Sequence, residues 1–404
     1  VGDKLYSSTI DSTASLKSLK YPILGQTPQN DFNCIYDDLN YNWKVIPDPS
    51  LVHFSISPHL NHRHIAKSAF TRYRFFDVFL KRKGTFPKRP ELSVNLKTAN
   101  GIPIASVSPH DVGQVQNVQI FYSINPHSLT RFWRRAATAK HRNNWVAHLP
   151  ILSTDMPLFV MANVEYPQPQ QLIGSRHMGN SPENFLVSSW ETIIDPTALK
   201  KAGVKAIDRP DRIIQRSFDD WGDWYQVSWG NHQHAVAGTR KLTDPKWRGP
   251  DGATLSIDIK DPQGGYFLMA FDVNNWGAYP GLAKGGYYCV KALAKTEDWQ
   301  TVTIKLSDLK PRGSGISDRP KSWQGITELQ IVAGLHRIPG EEKTILSGGT
   351  WPGKRELRNL QWIGGKYSSP LLYPGGKLSI EEFQKIFQAD IDKSIELEIH
   401  DTQN

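Results

Sequence analysis

The chain has 404 residues, 39% hydrophobic and 22% charged, enough for two to four domains that each bury a core. A net charge of +9, from 48 Lys and Arg against 39 Asp and Glu, favours acidic partners without requiring them. No apolar run reaches about 18 residues, which excludes a transmembrane helix. Thirteen Trp lean toward β-structure and sugar contact. Cys34 and Cys289 make no disulfide framework, and whether they pair with each other stays open. No signal peptide is legible, and an opening on Val1 rather than Met points to a processed product or a fragment.

After a polar stretch over residues 1–20, Tyr21–Gly25 reads as a short buried strand that runs into the polar loop QTPQNDFN. Tyr36–Trp43 has helical spacing, and Leu51–Ser57 (LVHFSIS) reads as a second buried strand. The turn PHLNHRH follows, with His59, His62 and His64, and then a helix predicted over Ile65–Lys83 with Phe70, Tyr73, Phe76, Asp77 and Leu80 at three- and four-residue steps. This alternation is that of a parallel sheet, with an acid on one loop and a histidine on the next. Three histidines without regularly spaced Cys, Asp or Glu are a poor zinc signal, and no metal site is predicted.

ILGQTPQNDFN, LVHFSISPHLNHR and FFDVFLK together resemble the C-terminal part of serine α/β-hydrolases of the dienelactone-hydrolase, prolyl-oligopeptidase and PhoPQ-activated types. The resemblance implies that His62 is the catalytic base and Asp31 the acid that orients it. Asp37 and Asp38 stand close enough in sequence to replace Asp31, and His59 and His64 are alternatives to His62. The bland reading is a loop-capping Asp beside Asn30 and a surface-loop histidine. No G-x-S-x-G occurs, so the nucleophile of a Ser-His-Asp triad is not in this chain. An upstream segment or a second polypeptide completing the sheet would have to supply it.

From Pro90 to Tyr166 the pattern changes to strands: ELSVNLKT, IPIASVSP, VQNVQIFYSI, NWVAHLPI and PLFVMANVEY. Their spacing, and the YSINP…RFWRRA…NNWVAHLPI series, resemble an Ig-like sandwich of the kind that follows such hydrolases. The basic run RFWRRAATAKHR (131–142) reads as a solvated face or an inter-domain contact, with an acidic polymer as the alternative. No nucleic-acid fold signature accompanies it.

Residues 170–215 read as an irregular bridge. Six predicted strands follow: DWYQVSW, ATLSIDIK, GYFLMAFDV, GYYCVKAL, WQTVTIKL and ITELQIVA. They resemble galactose-binding-like jelly rolls, the β-sandwiches of many carbohydrate-binding modules. A sugar presents an apolar face and a ring of hydroxyls, so its site wants aromatic platforms beside polar hydrogen-bonders. The candidates are Trp224, Trp229, His232 and His234 in one window, and Asp272, Asn275, Trp276 and Tyr279 in another; at least half of the Trp are expected in the core. The tail holds GKLSIEEF, with Ser379 as helix N-cap and Glu382 completing a capping box. It looks like the exit half of an EF-hand, but the preceding LLYPG lacks acidic ligands and a second register from Asp390 and Asp392 has Ile395 where Gly belongs, so calcium is a weak expectation.

The predicted fold class is multi-domain: an α/β-hydrolase segment (1–88), an Ig-like sandwich (89–169), a jelly roll with its bridge (170–366) and a helical, degenerate EF-hand-like tail (367–404). The expected function is the non-nucleophile portion of a serine hydrolase, esterase or peptidase, with an appended polysaccharide-binding module. The alternative is a non-catalytic polysaccharide-binding or assembly protein that retains a hydrolase remnant. Either way, the expected location is secreted or cell envelope.

Overall fold

The computed structural model describes residues 15–169, 181–229, 232–279, 282–312, 320–332, 334–337, 344–347 and 355–367. Within it the chain divides into two compact units, 1–124 with 133–207, and 125–132 with 208–404.

The first unit opens with β1 (Ile23–Pro28), α1 (Tyr36–Trp43), β2 (Val52–Ser57) and α2 (Ala66–Phe79). It continues with β3 (Glu91–Asn95), β4 (Ile104–Ser108), β5 (Asn117–Ser123), β6 (Arg134–Arg135), β7 (Ala139–His141), β8 (Asn144–His148), β9 (Leu158–Pro167), β10 (Asn184–Ser188), β11 (Thr192–Ile194) and α3 (Pro196–Lys201). β1 and β2 are parallel and in register from Ile23 opposite Val52 to Pro28 opposite Ser57, so both carboxyl ends finish at one level. The predicted β/α alternation therefore forms, with helices on both faces. Tyr36 of α1 packs with Val52, Phe54 and Ile56 on one face, while Ser68 and Thr71 of α2 share a buried hydroxyl network with Ser55 on the other. α1 sits close: a Cβ on Gly25 would meet Phe54 at 2.8 Å and Trp43 at 3.1 Å. α2 turns Ser68, Ala69, Phe70, Thr71 and Phe75 inward and leaves Phe76 and Leu80 exposed, because the small hydroxyls let the helix approach the sheet.

Two expectations are corrected here. The sheet does not stop near residue 88: it runs β1-β2-β10-β9-β5-β6, with β11 also on β9, so strands expected in a separate sandwich continue the parallel pair. Only β3, β4, β8 and β7 form their own antiparallel sheet, in the order β3-β4-β8-β7. The bridge over 170–215 is also not irregular throughout, since its β10 covers the flank of β2. That seam is sewn by side chains. Ile56 donates its N–H to Ser188 Oγ (2.9 Å), Asn163 Nδ2 donates to Ile56 O (3.0 Å), and Ser188 Oγ donates to Asn163 Oδ1 (2.6 Å). β2 is consequently buried along its whole length.

The second unit holds β12 (Ile213–Ser217), β13 (Tyr225–Trp229), β14 (His232–Thr239), β15 (Thr254–Asp261), β16 (Gly265–Val273), β17 (Gly285–Leu293), β18 (Thr296–Ile304), β19 (Lys310–Pro311), β20 (Ile326–Val332), β21 (Gly334–Arg337), β22 (Thr344–Ser347) and β23 (Glu356–Ile363). A four-stranded antiparallel sheet, β12-β23-β15-β18, faces a six-stranded one, β13-β14-β20-β16-β17-β19. Leu255, Ile257, Ile259, Val302 and Leu360 from the first interleave with Phe267, Met269, Phe271, Val273 and Ile331 from the second in one core, so this part is a β-sandwich. Cys289 lies in that core, and both Cys34 and Cys289 are free thiols. The EF-hand-like tail from residue 368 lies outside the described residues. Among the described residues no helix is long and apolar enough to cross a membrane.

Candidate functional site

Because β1 and β2 are parallel and end together, the loops that follow them leave the sheet side by side. They stay tied: Gln29 donates its N–H to Ser57 O (2.9 Å), Asn30 to Leu60 O (3.1 Å), and His59 to the Gln29 side-chain oxygen (3.0 Å). Asp31 stands three residues beyond β1 and His62 five beyond β2. The two meet, with His62 Nδ1 at 3.1 Å from Asp31 Oδ1 and 3.3 Å from Oδ2.

Each partner is held in place. Asp31 is buried, and its Oδ1 accepts the Asn33 N–H at 2.8 Å and the Cys34 N–H at 3.3 Å, which fixes the carboxylate within its own turn. His62 sits at φ +47° and His59 at φ +59°, two left-handed residues in one short turn. A non-glycine residue in that region is uncommon and costs about 1 kcal/mol or more, a cost the surrounding contacts must offset. The His62 side chain remains 56% exposed. With Nδ1–H donated to the carboxylate, Nε2 carries the lone pair, which is the tautomer a general base needs. The Phe32 ring lies 5.1 Å from the imidazole, and Asn33 Nδ2 approaches both ring nitrogens at 3.3 Å. Among the described residues no serine hydroxyl hydrogen-bonds His62; Ser57 Oγ instead lies 3.4 Å from His64 Nδ1.

The alternatives separate clearly. His59 is buried and packs edge-on to Phe121 at 5.9 Å. Asp37 and Asp38 lie on α1, where burial beside Asp37 pushes the Asp38 carboxyl up to about 6. Asn33, in the same QNDFN loop, also reaches the ring, and no sequence signal marks it. Among the described residues, no three His, Cys, Asp or Glu side chains gather as a metal site.

In the second unit the proposed sugar contacts divide. Trp224 and Tyr279 are 5% and 3% exposed, and Trp224 packs with Phe218 and Trp221 in the core, so neither offers an open platform. A large aromatic face fills a sandwich core as readily as it meets a sugar, and the sequence does not tell the two apart. The side chains of Trp229, His232 and His234 lie outside the described residues. Asp272 and Asn275 do come together, in a polar cavity of about 400 Å³ shared with Lys284, Gly285, Gly286 and Arg312. Trp276 is half-buried beside them, at φ +59°, with its N–H given to Asn275 Oδ1 (3.0 Å). Arg312 lies 40 residues from Asp272 and forms an ion pair with it at 2.5 Å. No local spacing marks either Arg312 or Lys284. The basic run gives no open cationic face at its start: Arg131 is buried and donates to Asn125 O, and Phe132, Trp133 and Arg134 are buried as well.

No family model matches the chain, and no curated protein matches it.

Proposed function

We propose that Asp31 and His62 are the acid–base half of a serine hydrolase site of esterase or peptidase type. The observation that carries this reading is the 3.1 Å contact between two side chains delivered by the carboxyl ends of adjacent parallel strands, on a histidine whose side chain is more than half exposed. In the reaction, His62 Nε2 takes the proton of a serine hydroxyl as that oxygen attacks an acyl carbon, and then gives it to the leaving group. Asp31 holds the ring in its tautomer and stabilises the imidazolium that forms. The serine comes from outside the described residues, on an upstream segment or a second polypeptide. Among the described residues β1 pairs with no strand but β2, and the proposed missing strands would extend the sheet from its other edge. The β-sandwich of the second unit serves as a saccharide-binding module, supported by the polar cavity at Asp272 and Asn275.

The test is labelling by a fluorophosphonate of the protein expressed from its complete coding sequence. One serine should be labelled, and His62→Ala should slow that labelling at least about a thousandfold, with Asp31→Asn close behind because it presents the wrong tautomer. Labelling that is absent, or indifferent to His62→Ala, removes the hydrolase and leaves a non-catalytic binding protein.

A further inference from the structure

The cavity in the second unit is built at the end of the β16–β17 hairpin. Asp272 is the last residue but one of β16, Gly285 and Gly286 open β17, Asn275 stands on the loop between them, and Arg312 arrives just after β19. Gly285 and Gly286 line it with bare backbone, close under two neighbouring side chains. A Cβ on Gly286 would lie 3.0 Å from Arg312 Nε, and one on Gly285 would lie 2.7 Å from the Tyr287 hydroxyl. The start of the loop is also tied down. Asn274 adopts φ +49°, donates to Tyr279 O and Leu282 O, and accepts the Tyr279 N–H, while Asn275 gives its own N–H to Thr327 Oγ1.

The lining is chemically lopsided. Lys284 and Arg312 can only donate, Asp272 when ionised can only accept, and the Asn275 amide does both. A complementary ligand therefore carries one anionic acceptor and, beside it, hydroxyl donors. A phosphate monoester, close to doubly charged at neutral pH, would lie against the Asp272 carboxylate and be repelled by it more strongly than a singly charged group. A zwitterion is also a poor match, because the Asp272 charge is already claimed by Arg312 and its carboxyl is pushed up to about 6 by burial. Neutral hydroxyls suit that acceptor better. The volume lies within the range of small-ligand sites, and the chain's net positive charge favours acidic polymers.

We propose that this cavity binds a uronic-acid unit of an acidic polysaccharide, with its carboxylate between Lys284 and Arg312 and its ring hydroxyls on Asp272 and Asn275. The inference rests on reading the second unit as a saccharide-binding module, and it is independent of the Asp31–His62 pair.

Calorimetric titration of the whole chain with trigalacturonate, cellotriose, acetate and glycine tests it. Trigalacturonate should bind at least tenfold tighter than cellotriose. Lys284→Gln, on an exposed side chain whose loss leaves the fold intact, should erase that preference, and Asn275→Ala should weaken both saccharides. Equal binding of the two saccharides overturns the acidic specificity and leaves the module reading standing. Binding of neither overturns both. Acetate or glycine binding as tightly as trigalacturonate means an anion or zwitterion site, and an unchanged preference in Lys284→Gln places the site elsewhere.

Discussion

His53 shows what a single buried titratable group does to this fold. It points from β2 into an aromatic box, with Phe75, Phe79 and Phe86 at ring distances of 5.8, 5.5 and 5.1 Å. Burial, helped by the nearby Arg89 guanidinium, holds its pKa down at about 4, against 6.5 for the free side chain. Between those values the unfolded chain binds a proton that the folded chain refuses, so stability falls as pH drops through that window and is flat for this group above it. The loss approaches about 3 kcal/mol at pH 4. His127 in the second unit, held near 3 by burial and Arg131, adds a slope of the same sign. Urea denaturation at pH 7.5 and pH 5 should show the drop, and His53→Phe should remove its share. An unchanged slope in that variant means that His53 takes up its proton in the folded state. The same residue illustrates what a sequence shows: LVHFSIS reads as a buried strand, yet nothing local says that its histidine is kept neutral.

At the scale of elements, legibility followed locality. GYFLMAFDV reads as a strand and is β16 residue for residue, because Phe267, Met269, Phe271 and Val273 alternate inward within one window. The meeting of Asp31 and His62 is legible for a related reason: each sits a few residues beyond a strand, and parallel register does the rest. β10 was not legible. NFLVS is five residues long, and although it pairs with nearby β9, its contact with β2 spans more than 130 residues, which no local period encodes. Its hold on β2 is unusual in resting on Ser188 and Asn163, since only Ser188 opposite Phe54 pairs there as a ladder. Asn163→Leu removes the donor to Ile56 O and the acceptor for Ser188, stranding both in a buried seam. The expected cost is about 2–4 kcal/mol in chemical denaturation. A cost below about 0.5 kcal/mol would show that backbone pairing alone holds β10.

At the scale of the whole molecule, the division of the chain departs from the order of its sequence. The stretch 125–132 belongs with residues 208–404, although residues on both sides of it belong to the first unit. Two adjacent aromatic residues mark the crossing. Phe132 meets Trp247 edge-on at 5.6 Å in the second unit, and Thr243 Oγ1 donates to Thr130 O nearby. Trp133 packs with Tyr36, Phe121 and Met161 in the first. FWRR therefore reads locally as one basic aromatic patch, whereas Phe132 packs on Trp247 at the edge of the second core and Trp133 lies within the first, and only contacts distant in sequence decide which. Either truncation opens a large cavity and should cost about 3–5 kcal/mol in its own unit. Hydrogen exchange resolves the two: Phe132→Ala should speed exchange in β14, β16 and β20 and leave β2 and β9 protected, with Trp133→Ala doing the reverse. If both variants loosen the same strands, residues 125–132 do not belong to the second core, and the chain folds in the order in which it is written.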